Sequence, residues 1–119
     1  MLTPEFVQEF AAAWFRDWNS HDLPAVLAHY TEDFEMSSSY IVQIAGEASG
    51  KLKGKKNVGA YWEKGLERFP ELHFEPIAIL GGVDSITLHY RGANARLSAE
   101  VFFFNAEGQV EKSFAHYAV

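Results

Sequence analysis

The chain has 119 residues, the size of one domain. It is 48% hydrophobic and 22% charged, with nine Gly and four Pro, which excludes the disordered and fibrous classes. Ten Lys and Arg against sixteen Asp and Glu leave a net charge of −6, a balance that repels nucleic acid and anionic membrane surfaces. With no cysteine there are no disulfides, thiolate metal sites or cysteine nucleophiles. No apolar run reaches the roughly 20 residues of a membrane span, and Met1–Glu5 lacks a basic, apolar leader pattern, so a cytoplasmic protein is the expectation. Aromatic residues make up 15% of the chain and predict a large apolar interior or a lined cavity.

Thr3 and Pro4 read as an N-cap followed by proline in the first turn. Phe6, Phe10, Trp14 and Trp18 then recur every four residues, a helical stripe that stops at Asn19-Ser20. His21-Asp22 opens a shorter helix whose Leu23, Val26, Leu27 and Tyr30 fit the i, i+3, i+4, i+7 template, and Thr31–Asp33 breaks it. Phe34, Met36, Ser38 and Tyr40 alternate with polar residues, which is strand period, and Ile41 to Ile44 read as its continuation. Residues 45–57 hold three of the glycines and Lys51, Lys53, Lys55 and Lys56, and read as a mobile loop. Val58, Tyr61, Trp62, Leu66 and Phe69 predict a third helix, ended by Pro70.

Four strands follow, over Leu72–Leu80, Ser85–Arg91, Arg96–Phe104 and Gln109–Val119, with Pro76 marking an edge or a bulge. The order gives an α+β fold in a single domain over residues 1–119, with neither repeat nor linker. The first forty residues carry seven acids and one base, Arg16, so the whole net charge sits on that part of the chain.

This order, with Trp18-Asn19-Ser20-His21-Asp22-Leu23, His29-Tyr30-Thr31-Glu32-Asp33-Phe34, Gly54-Lys55-Lys56-Asn57-Val58 and Phe104-Asn105-Ala106-Glu107-Gly108-Gln109-Val110, resembles the nuclear transport factor 2-like superfamily, and within it the SnoaL-like proteins. The resemblance implies a cone-shaped, curved antiparallel sheet wrapped by three N-terminal helices, with a pocket between sheet and helices. It also implies homodimers made through the outer sheet face. It does not imply one reaction, since the superfamily includes isomerases, cyclases, dehydratases, epoxide hydrolases and binders without catalysis.

Laid along the chain by these motifs, the ketosteroid isomerase pattern puts its base at Ser38, its helix tyrosine at Trp14 and its protonated acid at Glu100. A serine does not abstract a carbon-bound proton unaided, so that mechanism is disfavoured. Glu100 stands out in the apolar run Leu97–Phe104, where burial would raise its pKa and suit it to acid or donor work. Its alternative is a solvent-facing or dimer-facing position. If Asn105 pairs with Gly108, Glu100 lies opposite Ser113 and shares a face with Tyr117. If Asn105 pairs with Gln109, that face carries Phe114 and His116 instead. The family pattern favours Tyr117, and the catalytic candidates are Glu100, His116 and Tyr117.

Trp14, Trp18, Tyr30, Tyr40, Trp62 and Phe102, with Ser38 and His89, are the candidates for lining a ligand site, each with a plain core role as its alternative. His89 either reaches the pocket from a central strand or is a satisfied core histidine. The five histidines show no metal-ligand spacing, so neither metal nor cofactor is expected. Arg91 and Arg96 read as rim charges. The function expected first is binding, without catalysis, of a small hydrophobic molecule, cyclic or aromatic ones included. The alternative is a cofactor-independent isomerase, cyclase or dehydratase in which Glu100 and a neighbouring Tyr or His transfer protons. A protein–protein module is a third reading.

Overall fold

In the computed structural model, which describes residues 1–119, Thr3 caps the first helix through its hydroxyl, which accepts the Phe6 N–H at 3.1 Å. Pro4 opens that helix, α1 (Pro4–Asn19), and Val7, Phe10, Ala11, Trp14, Phe15 and Trp18 form its buried stripe. Asp22 caps α2 (Leu23–Leu27) by accepting the Ala25 N–H at 3.2 Å.

Helix α2 is shorter than its apolar period predicts, because Tyr30 opens strand β1 (Tyr30–Ser37) instead of closing the helix. The backbone there is engaged by the last strand: Tyr30 pairs with Val110, whose N–H donates to His29 O at 2.9 Å.

Tyr40–Ile44 is helix rather than strand. Ser38 has extended backbone and caps α3 (Ser39–Ala45), its hydroxyl accepting the Tyr40 N–H at 3.2 Å. Ile41 is fully buried, and Gly46 ends the helix at φ +72°, the left-handed conformation glycine takes without strain.

The segment read as a mobile loop instead holds β2 (Lys51–Lys53), antiparallel to β1, and the start of α4 (Lys55–Arg68). The fold therefore has four α-helices where three were expected.

Strands β3 (Glu75–Gly81), β4 (Ser85–Arg91), β5 (Leu97–Phe104) and β6 (Val110–Tyr117) complete a six-stranded sheet of order β2-β1-β6-β5-β4-β3. Strand β3 is the edge, and its register shifts between Pro76 and Ala78, so Pro76 is accommodated by both devices expected of it. All pairs are antiparallel except β1 with β6, which is parallel and joins the two ends of the chain. The result is an α+β fold with a curved sheet whose inner face is wrapped by helices. No helix is long and apolar enough to cross a membrane.

Twenty-one buried hydrophobic residues form one core between sheet and helices. Trp14, Tyr30, Phe34 and Phe102 are its largest fully buried side chains, each stabilising the fold by about 2–3 kcal/mol through area removed from water. The Trp14 indole N–H donates to the Tyr30 hydroxyl at 3.0 Å and ties α1 to β1 inside that core.

The β5–β6 register decides what meets Glu100, and it matches neither register weighed from the sequence. At the turn, Asn105 N–H donates to Gln109 O at 2.9 Å, and Phe104 pairs with Val110. Phe103 then pairs with Lys112, leaving Glu111 as the extra residue of a β-bulge. From there Glu100 faces Ala115 and Ser98 faces Tyr117. The bulge restores the alternation that brings Tyr117, not His116, to the face of Glu100.

Candidate functional site

Between the second half of α1, helices α3 and α4, and the inner face of β4–β6 lies a cavity of about 80 Å³. Fourteen of its eighteen lining residues are hydrophobic. Trp14 and Trp18, one turn apart on α1, form one wall, and Tyr61 and Trp62 on α4 face them. Trp18 meets Trp62 edge-on at 5.1 Å, and Phe74 stacks on Trp14 at 5.4 Å with 19° between the planes.

The segment carrying Leu72 and Phe74 has no strand neighbour at that end, and two α1-terminal side chains fix it instead. Asn19 grips the Phe74 backbone, donating to its carbonyl at 3.0 Å and accepting its N–H at 2.7 Å. His21 Nε2 donates to Leu72 O at 2.8 Å. The opposite rim is the Gly92–Arg96 turn, where Asn94 and Ala95 sit at φ +56° and +59°.

Glu100 is the one carboxyl among the lining residues, and no Lys, Arg or His is among them. It is 4% exposed and accepts a single hydrogen bond, from Tyr90 Oη to Oε1 at 3.2 Å. Burial pushes its pKa up to about 7, against the smaller opposing effect of the Tyr90 bond. Tyr90 in turn is held well above the usual phenol range, first by burial and then by the Glu100 charge.

Next to it, Tyr117 Oη and Ser38 Oγ share a hydrogen bond of 2.6 Å, and Tyr61 Oη lies 3.5 Å from the same Ser38 oxygen. Burial raises Tyr61 to about 12 and Tyr117 higher still. All these phenols are therefore neutral donors at pH 7, while Glu100 exchanges its proton near neutrality. Trp18 Nε1 is buried with no hydrogen-bond partner.

Of the residues singled out from the sequence, Trp14, Trp18, Tyr40, Trp62, Glu100 and Tyr117 line the cavity. Ser38 lies behind Tyr117 and holds it. Tyr30 and Phe102 do not line it: both are fully buried, Tyr30 bonded to the Trp14 indole and Phe102 edge-on to it at 5.3 Å. His89 and His116, candidates whose alternatives the sequence left open, do not reach the cavity. Both pair with Ala99 on the outer face of the sheet, because β4 alternates with Leu88 and Tyr90 inward and because Glu111 is bulged out of β6.

Sequence reasoning passed over Tyr61, Phe74 and Tyr90 as site residues. The signals were present: Tyr90 shares the period of Ile86 and Leu88, and Tyr61 sits beside Trp62 on one helix.

The model of the SnoaL-like domain family matches residues 11–111. The chain belongs to the SnoaL-like family. A SnoaL-like protein of unknown function from Burkholderia thailandensis is 56% identical, with 98% of each chain covered and a TM-score of 0.94. TerC, co-crystallised with polyporic acid, shares the fold at 9% identity and a TM-score of 0.77, over 95% of this chain and 92% of its own. SalBIII, an epoxide hydrolase/cyclase-like enzyme in pyran ring formation in the polyether salinomycin, shares it at 17% identity and 0.73, over 100% and 95%. No curated protein matches the chain in sequence.

Within this SnoaL-like chain the ketosteroid isomerase arrangement is not assembled. The Ser38 hydroxyl is engaged by Tyr117 and by the Tyr40 N–H, and the Trp14 N–H is spent on Tyr30. Of the three positions Trp14 and Glu100 line the cavity, and only Glu100 offers it a polar atom with free hydrogen-bonding capacity.

Proposed function

We propose that this SnoaL-like protein binds a small, largely apolar molecule in the α1–α4 cavity, with Glu100 as its polar anchor. The observation that carries this reading is a lone carboxyl, 4% exposed, in the wall of an aromatic-lined space. Desolvating a carboxyl opposes folding unless something compensates it, and Tyr90 supplies one hydrogen bond where a carboxylate accepts about four. At 80 Å³ the cavity is smaller than the roughly 150 Å³ void that takes a benzene ring, so one small ring is the upper limit of its occupant.

A second reading, proton-transfer catalysis of the isomerase, cyclase or dehydratase kind, is favoured by the position of Glu100 in the cavity wall, where burial pushes its pKa up to about 7. Tyr117, held by Ser38, would then orient the substrate.

All three tryptophans line the cavity, so their fluorescence reports its occupancy. Titration with single-ring alcohols, ketones and amines is expected to quench or shift the emission saturably. A protein whose emission no such molecule changes would return the reading to a protein–protein module. Where a ligand is also a substrate, Glu100→Gln abolishes turnover while leaving neutral ligands bound.

We also propose a homodimer. Leu97 and Phe103, 38% and 36% exposed, sit on the outer face of β5, where Phe103 meets Phe114 edge-on at 5.9 Å. Light scattering is expected to give twice the 13.4 kDa of the chain.

A further inference from the structure

We infer that the ligand of this cavity is a small organic ammonium ion, caged by aromatic rings and countered by Glu100. The inference rests on the cavity being a ligand site and goes on to name the ligand's charge. Nine of the eighteen lining residues are aromatic, and their ring faces carry negative potential. The one ionisable carboxyl has no basic residue beside it in the lining. A carboxylate or phosphate ligand would meet the Glu100 charge and the ring faces with no cation to balance it. An ammonium group meets both favourably.

Glu100 also has unused hydrogen-bond acceptor capacity. Tyr90 occupies Oε1, and no protein donor reaches Oε2. The titratable groups whose pKa values the Glu100 charge raises are Tyr90 from β4, Tyr117 from β6, Tyr30 from β1 and Tyr61 from α4, all neutral at pH 7, and of these only Tyr90 shifts the carboxyl. Helix α1 presents only the Trp14 and Trp18 indoles. Arg96 lies outside the lining, exposed, 6.0 Å from the Tyr40 ring and 5.4 Å from the Tyr117 ring, and its guanidinium donates to Ala118 O at 2.8 and 3.0 Å and to Tyr40 Oη at 3.4 Å.

The net charge of −6 resides in the first forty residues, which include the α1 wall, and this draws cations inward. The unpartnered Trp18 N–H works the other way, since it suits a ligand acceptor, so neutral isosteres belong in the test.

The test is tryptophan fluorescence titration of the whole protein at fixed ionic strength. The probes are cyclohexylammonium, cyclohexanol, cyclohexanone and cyclohexanecarboxylate, which share one ring and differ in charge. Cyclohexylammonium is expected to bind more tightly than cyclohexanol at pH 8 by at least about tenfold, and the carboxylate not at all. Because the cation pairs with ionised Glu100, its affinity rises by about tenfold from pH 6 to pH 8 as a group of pKa about 7 loses its proton. Glu100→Gln is expected to remove the ammonium preference and leave cyclohexanol within about threefold.

If cyclohexanol or cyclohexanone binds at pH 8 as tightly as the ammonium ion, the ammonium inference is overturned and the ligand site stands. An ammonium affinity indifferent to pH in the wild-type protein also overturns it. If none of the four probes changes the emission, the ligand site falls with it.

Discussion

Replacing Glu100 with Gln removes a buried charge while keeping the size and the hydrogen-bonding oxygen of the side chain. The folded protein holds the carboxyl at about 7 against an ordinary 4.5. At about 1.4 kcal/mol per pH unit, the difference is about 3 kcal/mol. Its sign follows from burial disfavouring the ionised form. Below pH 4.5 Glu100 is neutral in both folded and unfolded chains, and its contribution to stability is fully present. Between pH 4.5 and 7 the unfolded chain ionises first, and that contribution is lost as the pH rises. Above pH 7 the loss is complete. Wild type and Glu100→Gln should therefore differ by a roughly constant amount near pH 4. By pH 8 the variant should gain about 3 kcal/mol relative to wild type, or roughly 10 °C in Tm for a domain of this size. Urea unfolding of both proteins between pH 4 and 8.5 measures this, because every other titrating group cancels in the difference. A difference that stays flat over that range, or that falls, would refute the assignment of Glu100 as a desolvated, uncompensated carboxyl.

Two further outcomes are expected from the structure. Tyr30, Tyr61, Tyr90 and Tyr117 are all held above the usual phenol range by burial, so in the folded protein they should remain protonated at pH 11. The 295 nm absorbance should then rise by far less than five phenols' worth until the protein unfolds, and full ionisation by pH 11 in the folded state would contradict their burial. Ala95 sits at φ +59° in the rim turn, where a β-carbon is strained, so Ala95→Gly should raise stability by about 0.5–1 kcal/mol in urea unfolding. An unchanged or lower midpoint would show that the turn carries no strain there.

The stripe of α1 was legible because every fourth residue is a large ring, and the strand of Pro76 because proline cannot serve in a central ladder. Around Ser38 the sequence misled. Phe34, Met36, Ser38 and Tyr40 alternating with Glu35, Ser37 and Ser39 imitate strand period, yet Ser38 is also a helix cap, and Ile41 and Ile44 suit a short helix as well as a strand. Nothing local distinguishes the two; the cap hydrogen bond and the burial of Ile41 do. Tyr30 fits the α2 template equally well, and only pairing with Val110, eighty residues later, draws it into a strand.

For the site, Glu100 was visible as a charge in an apolar run, as were the rings of Trp14, Trp18 and Trp62. Whether Tyr117 or His116 met the carboxyl depended on a bulge at Glu111, a polar residue with no local mark of being unpaired.

That bulge also sets how the strand responds to changes in length. It stores one residue of slack between the Asn105–Gln109 turn and Tyr117. Deleting Glu111 would let Lys112 follow Val110 in a regular ladder, still opposite Phe103, and every later side chain would keep its face. A single insertion has no such reserve: the strand must form a second bulge or turn Tyr117 outward and His116 inward. Lineages of this protein can thus shorten this strand by one residue without altering the pocket, whereas lengthening it by one would exchange a phenol for an imidazole beside Glu100.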